Sequence, residues 1–205
     1  MVKVFYIRWS FFMVGMMFLA LGIALTIRGN LLGIAPWDVF HVGLFINFGL
    51  SIGMWSILSG LLLVLGTSLY SKRWPLIGTW LNMILVGLFT DVFLWLLPAV
   101  SHPTVQTVLF ISGVGVMGLG VGMYIASNVG AGPRDSLMLI LMEKTGWTVK
   151  RVRTLLEVVV AIFGWLLGGP IGVGTVIIAL TLGYIVHYTL ILSQNWILKL
   201  TELPK

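Results

Sequence analysis

The chain has 205 residues, of which 59% are hydrophobic and 9% are charged, and its mean hydropathy is +1.09. A water-soluble fold of this length needs a far more polar surface, so the composition excludes a soluble globular protein and indicates an integral membrane protein. The net charge of +6 does not predict a nucleic-acid partner, because the cytoplasmic loops of membrane proteins accumulate lysine and arginine.

Six apolar segments are each long enough to cross about 30 Å of hydrocarbon as a helix. In chain order they are residues 11–27, 52–70, 76–97, 105–126, 152–168 and 172–193. The first follows Lys3 and Arg8, as the apolar part of a signal peptide would, but no cleavage motif leads from it into a polar mature chain. We therefore expect it to be the first transmembrane span.

Two similar short motifs each precede a shorter apolar stretch. GIAPWD covers residues 33–38 and GAGPRD covers residues 130–135. Each motif combines glycines, which allow a sharp turn, with a proline suited to the first helical turn and an acid favoured at a helix N-terminus. We predict short helices over 36–48 and 133–145, and each would rise only about 20 Å, which is short for a crossing.

The two motifs belong to an internal repeat whose offset changes from 98 to 97 and then to 96 residues along the chain. The aligned pairs include Gly15 with Gly113, Gly22 with Gly120, Asn30 with Asn128, Gly33 with Gly130, Pro36 with Pro133, Asp38 with Asp135, Gly78 with Gly174, and Asp91 with His187. We predict a single membrane domain over 1–205, with the first repeat at about 10–98 and the second at about 105–195.

The distribution of basic residues distinguishes two topologies. If the short helices enter and leave on one side, each repeat has three spans and the second repeat is inverted; if they cross, each repeat has four spans and the repeats are parallel. With a cytoplasmic N-terminus, the first arrangement places eleven of the twelve basic residues inside and only Arg28 outside, whereas the second places eight inside. The favoured arrangement puts both termini in the cytoplasm.

The predicted fold is therefore an all-α integral membrane protein with two inverted-topology repeats, each of three transmembrane helices plus one re-entrant half-helix. Eight spans in two parallel four-helix repeats are the alternative. In the inverted fold the two half-helix N-termini meet near the membrane midplane, where transporters place their solutes. The candidate substrate-binding residues around this point are Asn30, Pro36, Asp38, His41, Asn128, Pro133, Arg134 and Asp135.

Several of these residues have a second interpretation. Asp38 and Asp135 either bind a cation, a proton or a cationic solute, or simply cap their helices. Arg134, which replaces Trp37 at the matched position, either pairs with an acid, favours an anionic solute or faces cytoplasmic water. Asn30 and Asn128 are natural partners of the site through their amide groups, or caps of the preceding helix.

Ionisable residues inside predicted spans are candidates for ion or proton coupling, because a charge at membrane depth is costly. Asp91 and His187 occupy matched positions in the third and sixth spans. A packing role is the alternative for His187. Glu157 follows Arg153 by four residues, which indicates an ion pair on the surface of a helix near its cytoplasmic end.

The segments ALGIAL and LGIAPWDVFHVGL, followed by Gly78, Thr79, Asn82, Gly87 and Asp91, resemble the YczE/YitT-type family of small bacterial integral membrane proteins. The similarity covers about residues 15–192, and its most specific element is PWD. The resemblance implies a bacterial inner-membrane protein of ill-defined activity and brings no catalytic residues to carry over.

The leading hypothesis is a membrane transporter or channel for a small solute or ion, with a midplane site formed by the two half-helix N-termini. The alternative is a non-transporting accessory or substrate-capture subunit that assembles with a partner protein. An enzyme is not predicted, because the chain has no cysteine and shows no nucleophile–base pair or metal-ligand cluster. No cofactor is predicted. The expected partners are the lipid bilayer and the solute, with a homodimer or a partner membrane subunit left open.

Overall fold

The computed structural model describes residues 2–72, 74–130 and 132–202. Within these ranges the long regular elements are all helices: α1 (Val2–Arg28), α2 (Pro36–Phe48), α3 (Ile52–Ser71), α4 (Ile77–Leu96), α5 (Pro103–Ser127), α6 (Pro133–Thr145), α7 (Val149–Leu166) and α8 (Val173–Glu202). The predicted all-α class is confirmed. Arg73 and Lys205, which the charge count places in the cytoplasm, and Ala131 of the GAGPRD motif lie outside the described residues.

Five of the helices are long and apolar enough to cross a membrane, namely α1, α3, α4, α5 and α8. The sequence predicts a sixth span over 152–168. The corresponding helix, α7, has 18 residues but begins at Val149 and carries Lys150, Arg151, Arg153 and Glu157 in its first half. Because of these four charged residues, α7 is not among the helices that are apolar enough to count as membrane spans by composition.

The ends of α1 and α8 extend beyond the predicted apolar segments. The first begins at Val2 rather than at residue 11, and the last continues to Glu202 rather than to residue 193. Lys3, Arg8 and Lys199 lie in these extensions. Lysine and arginine interrupt an apolar run but are good helix formers, so they limit the membrane-embedded part without ending the helix.

The two short helices have the predicted bounds and matching ends. Each begins with a proline after an extended residue, Ala35 before α2 and Gly132 before α6. Each ends at a glycine with positive φ, 71° at Gly49 and 69° at Gly146. Proline fits the first helical turn and glycine adopts positive φ at little steric cost, so local sequence accounts for both ends of both helices.

The helices α1 and α5 pack closely and antiparallel. A Cβ atom on Gly22 would lie 2.4 Å from the backbone nitrogen of Met117, and one on Gly120 would lie 2.2 Å from the backbone nitrogen of Leu19. Higher numbers on α1 thus meet lower numbers on α5. Glycine permits this approach of two helix backbones, and small residues are typical of helix interfaces inside membranes.

Each short helix packs against a long helix from the other part of the chain, α2 against α7 and α6 against α3. A Cβ atom on Gly164 of α7 would lie 2.4 Å from the backbone nitrogen of Phe40 in α2, and one on Gly60 of α3 would lie 3.5 Å from Cγ of Pro133 in α6. The helices α4 and α8 pack on α1 and α5, respectively. These contacts hold the first turns of α2 and α6 inside the helix bundle.

Candidate functional site

The first turns of α2 and α6 line one cavity inside the bundle. The lining residues from the two motifs are Ala35, Pro36, Trp37, Asp38, Gly132, Pro133, Arg134 and Asp135. The cavity volume is about 190 Å³, which is below the roughly 300–1,000 Å³ of pockets that hold drug-sized ligands. The structure thus brings GIAPWD and GAGPRD together around a space suited to a small molecule.

Asp135 caps the N-terminus of its own helix. Its Oδ2 accepts a hydrogen bond of 3.1 Å from the backbone N–H of Gly132 and one of 3.2 Å from the hydroxyl of Tyr124. A carboxylate at this position satisfies a free backbone donor and lies favourably in the helix dipole. The capping interpretation therefore describes Asp135 well.

Asp38 occupies the matched position in α2 but has different contacts. Its residue surface is 3% exposed, and within the described residues its nearest basic group is the Nδ1 atom of His41, 3.9 Å from Oδ1. The reciprocal capping arrangement of α6 is not formed in α2. Since a buried carboxylate normally has strong partners, Asp38 has unused capacity to accept hydrogen bonds or a positive charge.

His41 lies behind Asp38, one helical turn further along α2. It is 1% exposed, and its Nε2 lies 2.9 Å from the hydroxyl oxygen of Ser59 in α3. Ser59 lines the cavity, whereas His41 is not among the lining residues. The structure therefore places His41 next to the site, where it supports Asp38 and Ser59.

Arg134 contacts Trp37, the residue at the matched position of the first motif. Its guanidinium carbon lies 4.5 Å from the centroid of the Trp37 ring, a cation–π geometry. Within the described part of the chain no carboxylate lies within 4.0 Å of its nitrogens. Because Arg134 also lines the cavity, its N–H groups are available to a ligand.

Asn82 of α4 is a site residue that the sequence interpretation does not include. It lines the cavity, is 6% exposed, and its amide nitrogen has no hydrogen-bond partner among the described residues. A Cβ atom on Gly132 would lie 3.5 Å from Oδ1 of Asn82 and 3.6 Å from the hydroxyl of Tyr124. Buried amides in proteins are rarely left without partners, so this one marks a place where a ligand group fits.

Tyr124 and the pair Arg153–Glu157 are further lining residues that sequence reasoning assigned no place in the site. The predicted pair between Arg153 and Glu157 is present, with Nε and Oε1 separated by 3.0 Å. Its side chains are 41% and 13% exposed, so the cavity reaches the surface beside α7. The internal repeat relates this pair to the first repeat. At an offset of 97 residues Arg153 matches Ser56 and Glu157 matches Gly60, and both of these matched residues also line the cavity.

Besides His41, four of the sequence-predicted residues do not line the cavity. Asn30 and Asn128 are exposed, and Asn128 ends α5 in a left-handed conformation with φ of 55°, as a helix cap does. His187 is exposed on α8, where its ring contacts that of Tyr188. Their substrate-binding and coupling roles stay predictions, and the cap gives Asn128 a structural role.

Asp91 is the fourth of these residues, and it holds the start of α3. Its Oδ1 accepts a 2.8 Å hydrogen bond from the backbone N–H of Gly53, and its Oδ2 accepts one from the hydroxyl of Ser51. These contacts tie the C-terminal part of α4 to the N-terminus of α3. The coupling role of Asp91 stays a prediction.

The cavity combines opposite charges with apolar walls. Asp38 and Arg134 supply one acceptor and one donor group, and Asn82 adds an amide. Among the described residues no group of three or more His, Cys, Asp or Glu could hold a metal ion. The arrangement can bind and orient a small polar or charged molecule.

These features define an all-helical integral membrane protein with an internal polar cavity. The chain belongs to the family described as "Family of unknown function (DUF6198)", which matches residues 6–190. A relative from Bacillus subtilis (strain 168), named "Uncharacterized membrane protein YczE", is 48% identical over 184 residues, covering 90% of this chain and 86% of its own. The resemblance to the YczE-type family is thereby confirmed.

Two further relatives cover most of the chain. An "Uncharacterized protein" from Haemophilus influenzae (strain ATCC 51907 / DSM 11121 / KW20 / Rd) is 32% identical, over 84% of this chain and 77% of its own. The "Uncharacterized protein YyaS" from Bacillus subtilis (strain 168) is 27% identical, over 88% of this chain and 90% of its own. No solved structure is significantly similar to the chain.

Proposed function

We propose that this membrane protein moves a small solute across a bacterial inner membrane, as a transporter or channel, through the cavity between α2 and α6. The observation that carries the proposal is the meeting of two helix N-termini, from matched motifs 97 residues apart, in one polar cavity. Discontinuous helices with such N-termini at a central site are a recurring design of secondary transporters. The proposal assigns no chemical reaction and no cofactor to the cavity.

The glycine contacts between α1 and α5 support an inverted repeat. Gly15 and Gly113 are matched positions, as are Gly22 and Gly120. A Cβ atom on Gly15 would lie 2.9 Å from the oxygen of Gly120, and one on Gly22 would lie 2.7 Å from the oxygen of Gly113. Reciprocal contacts of this kind are the mark of a two-fold axis. Because the two helices are antiparallel, such an axis would reverse the direction of one repeat relative to the other, as the proposal requires.

The loops that precede the short helices support the same relationship. A Cβ atom on Gly78 would lie 2.4 Å from the oxygen of Val129, and one on Gly174 would lie 2.7 Å from the oxygen of Leu32. Gly78 matches Gly174 at an offset of 96, and Leu32 matches Val129 at 97. The start of the last helix in each repeat therefore packs against the loop of the other repeat.

In the proposed topology α1, α3, α4, α5, α7 and α8 cross the membrane, and α2 and α6 are re-entrant half-helices. At 13 residues each, the half-helices rise about 20 Å, less than the roughly 30 Å of hydrocarbon. The charged first half of α7 lies at the cytoplasmic surface, as the positive-inside rule favours. Both termini are then cytoplasmic.

A cysteine placed in the cavity wall can be labelled with a thiol reagent, and this tests the transport route even though the solute is unidentified. Val86 of α4 lines the cavity and is 7% exposed, whereas Leu88 on the same helix is 48% exposed and outside the lining. Single Val86→Cys and Leu88→Cys variants are treated with a charged, membrane-impermeant thiol reagent in right-side-out and in inverted vesicles. The chain has no native cysteine to interfere.

We expect Val86→Cys to be labelled from both faces, because a solute route must connect with each side in turn. Leu88→Cys, at a similar depth but facing lipid, is expected to stay unlabelled. Labelling of Val86→Cys from one face alone would contradict transport and favour a capture subunit. Labelling from neither face would show that the cavity is only a packing gap.

A further inference from the structure

Among the described residues, the cavity charges Asp38 and Arg134 are not held in a close ion pair with each other or with another carboxylate, lysine or arginine. Neither Asp38 nor Arg134 forms an ion pair with another acidic or basic residue other than His41 within 4.0 Å among the described residues. Tertiary structure normally pairs charges that it removes from bulk water, because an unpaired one is costly. A ligand that carries both charges would satisfy both groups at once.

Hydrogen-bond donors line the same cavity as Arg134. The free amide nitrogen of Asn82 and the guanidinium both line the cavity. The N-termini of α2 and α6 begin at the same cavity, and the partial positive charge of a helix N-terminus favours an anion. A guanidinium also fits a carboxylate through two parallel hydrogen bonds. This part of the cavity therefore suits a carboxylate group.

Asp38, rather than Asp135, is the carboxylate with room for a positively charged ligand group. Asp135 already accepts from the Gly132 N–H and the Tyr124 hydroxyl, whereas Asp38 has only His41 at 3.9 Å among basic groups within the described residues. An ammonium group is a three-donor cation that a buried carboxylate can hold. This part of the cavity suits an amine.

Much of the remaining wall is apolar, beside Ser56, Ser59, Tyr124 and the pair Arg153–Glu157. The apolar part includes Leu19, Ile23, Met117, Ile178 and Leu182. Apolar burial favours a hydrocarbon body between the two polar ends, and the volume of about 190 Å³ limits its size. A simple cation would leave Arg134 with only the Trp37 ring as a partner, and a simple anion would leave Asp38 with only His41.

We propose that the cavity binds a small zwitterion, with an ammonium group at Asp38, a carboxylate at Arg134 and Asn82, and an aliphatic body between the apolar walls. An aliphatic α-amino acid has this chemistry. The proposal deepens the proposed function, on which it rests for the claim that this solute is carried across the membrane.

Three probes of one carbon skeleton test the proposal: leucine, its decarboxylated form isoamylamine, and its deaminated form 4-methylpentanoate. Binding to the purified, detergent-solubilised protein is measured by isothermal titration calorimetry. We expect leucine to bind at least tenfold more tightly than either single-charge probe. Equal or tighter binding of the amine or of the acid, or no binding of leucine, would overturn the zwitterion assignment.

Variants that remove one charge each assign the two ends of the probe. Arg134→Gln is expected to weaken leucine binding at least tenfold while leaving isoamylamine unchanged, and Asp38→Asn to weaken leucine while leaving 4-methylpentanoate unchanged. Arg151→Gln and Glu143→Gln, at exposed positions outside the cavity, serve as matched controls and should bind leucine like the parent. Equal loss of all three probes in Arg134→Gln or Asp38→Asn would overturn the assignment of ends.

The transport proposal and the zwitterion proposal can be contradicted independently of each other. Labelling of Val86→Cys from both faces without leucine binding would leave the transport route intact and remove the substrate class. Leucine binding with labelling from one face would keep the zwitterion site and remove transport.

Discussion

The guanidinium of Arg134 lies 4.5 Å from the ring centroid of Trp37, and the two residues occupy the same position in two motifs 97 residues apart. Arg134, at one of the three positions where GAGPRD differs from GIAPWD, thus contacts Trp37, its counterpart in the first motif. This pair joins the starts of α2 and α6 across the proposed two-fold axis. It also keeps the guanidinium in the cavity without neutralising its charge.

The contact between Trp37 and Arg134 should contribute measurable coupling energy. In a double-mutant cycle of Trp37→Leu and Arg134→Met, thermal or denaturant unfolding in detergent should give a coupling of about 0.5–2 kcal/mol, the range for cation–π pairs. Trp55, whose indole N–H donates to the oxygen of Gly49, provides the control. Trp55→Leu combined with Arg134→Met should be additive, and a Trp37 cycle without coupling would refute the contact.

The packing of α1 on α5 should tolerate no side chain at the matched glycines. Gly120→Ala would place its Cβ 2.2 Å from the nitrogen of Leu19, whereas a Cβ on Gly115 of the same helix would meet nothing within 4 Å in the described part of the chain. We expect Gly120→Ala to lower the free energy of unfolding by about 1–3 kcal/mol or more, as overpacking does. Gly115→Ala should be neutral or stabilising. Equal melting temperatures for the two variants would contradict the close backbone approach.

Asp91 should act mainly on stability. Asp91→Ala removes the hydrogen bonds to Ser51 and Gly53 and should destabilise the protein by about 1–3 kcal/mol. Asp91→Asn keeps an oxygen that can accept from Gly53, so its melting temperature should recover in part. Vesicle labelling of Val86→Cys should be unchanged in Asp91→Asn. Lost labelling with unchanged melting would favour the ion-coupling role instead.

The two motif acids should respond differently to the same substitution. Asp135→Ala removes the cap on Gly132 and the partner of Tyr124, so we expect a loss of about 1–2 kcal/mol. Asp38→Asn removes a buried charge that caps nothing in its helix, so melting should be unchanged or improved. Unfolding curves of the two variants and of Tyr124→Phe check this. A larger loss for Asp38→Asn would show that Asp38 has an unrecognised structural partner.

Local sequence predicts the helices well because their signals are local. Proline at the first turn and glycine just beyond the last define α2 and α6 to the residue. The predicted sixth span is not in the group of long apolar helices, because α7 combines an apolar half with Lys150, Arg151 and Arg153. Hydropathy cannot tell how much of such a helix lies among headgroups.

The site was only partly predictable because most of its partners are distant in sequence. Asp38 and Arg134 follow from the repeated motifs, but the unpaired amide of Asn82 depends on how α4 packs beside α6. Asp91 looked like a candidate for coupling because it is an acid inside a span. Its role at the start of α3 depends on a contact with Gly53 that no periodicity reveals.

The inverted orientation of the two repeats is tested most directly by finding which side of the membrane each end of α4 faces. Ser71 and Ser101 are exposed on either side of this helix, and single Ser71→Cys and Ser101→Cys variants can be treated in intact cells with an impermeant thiol reagent. The account predicts labelling at residue 101 and none at residue 71. Labelling at 71 and none at 101 would mean four crossings per repeat and parallel repeats, and would contradict the half-helix site.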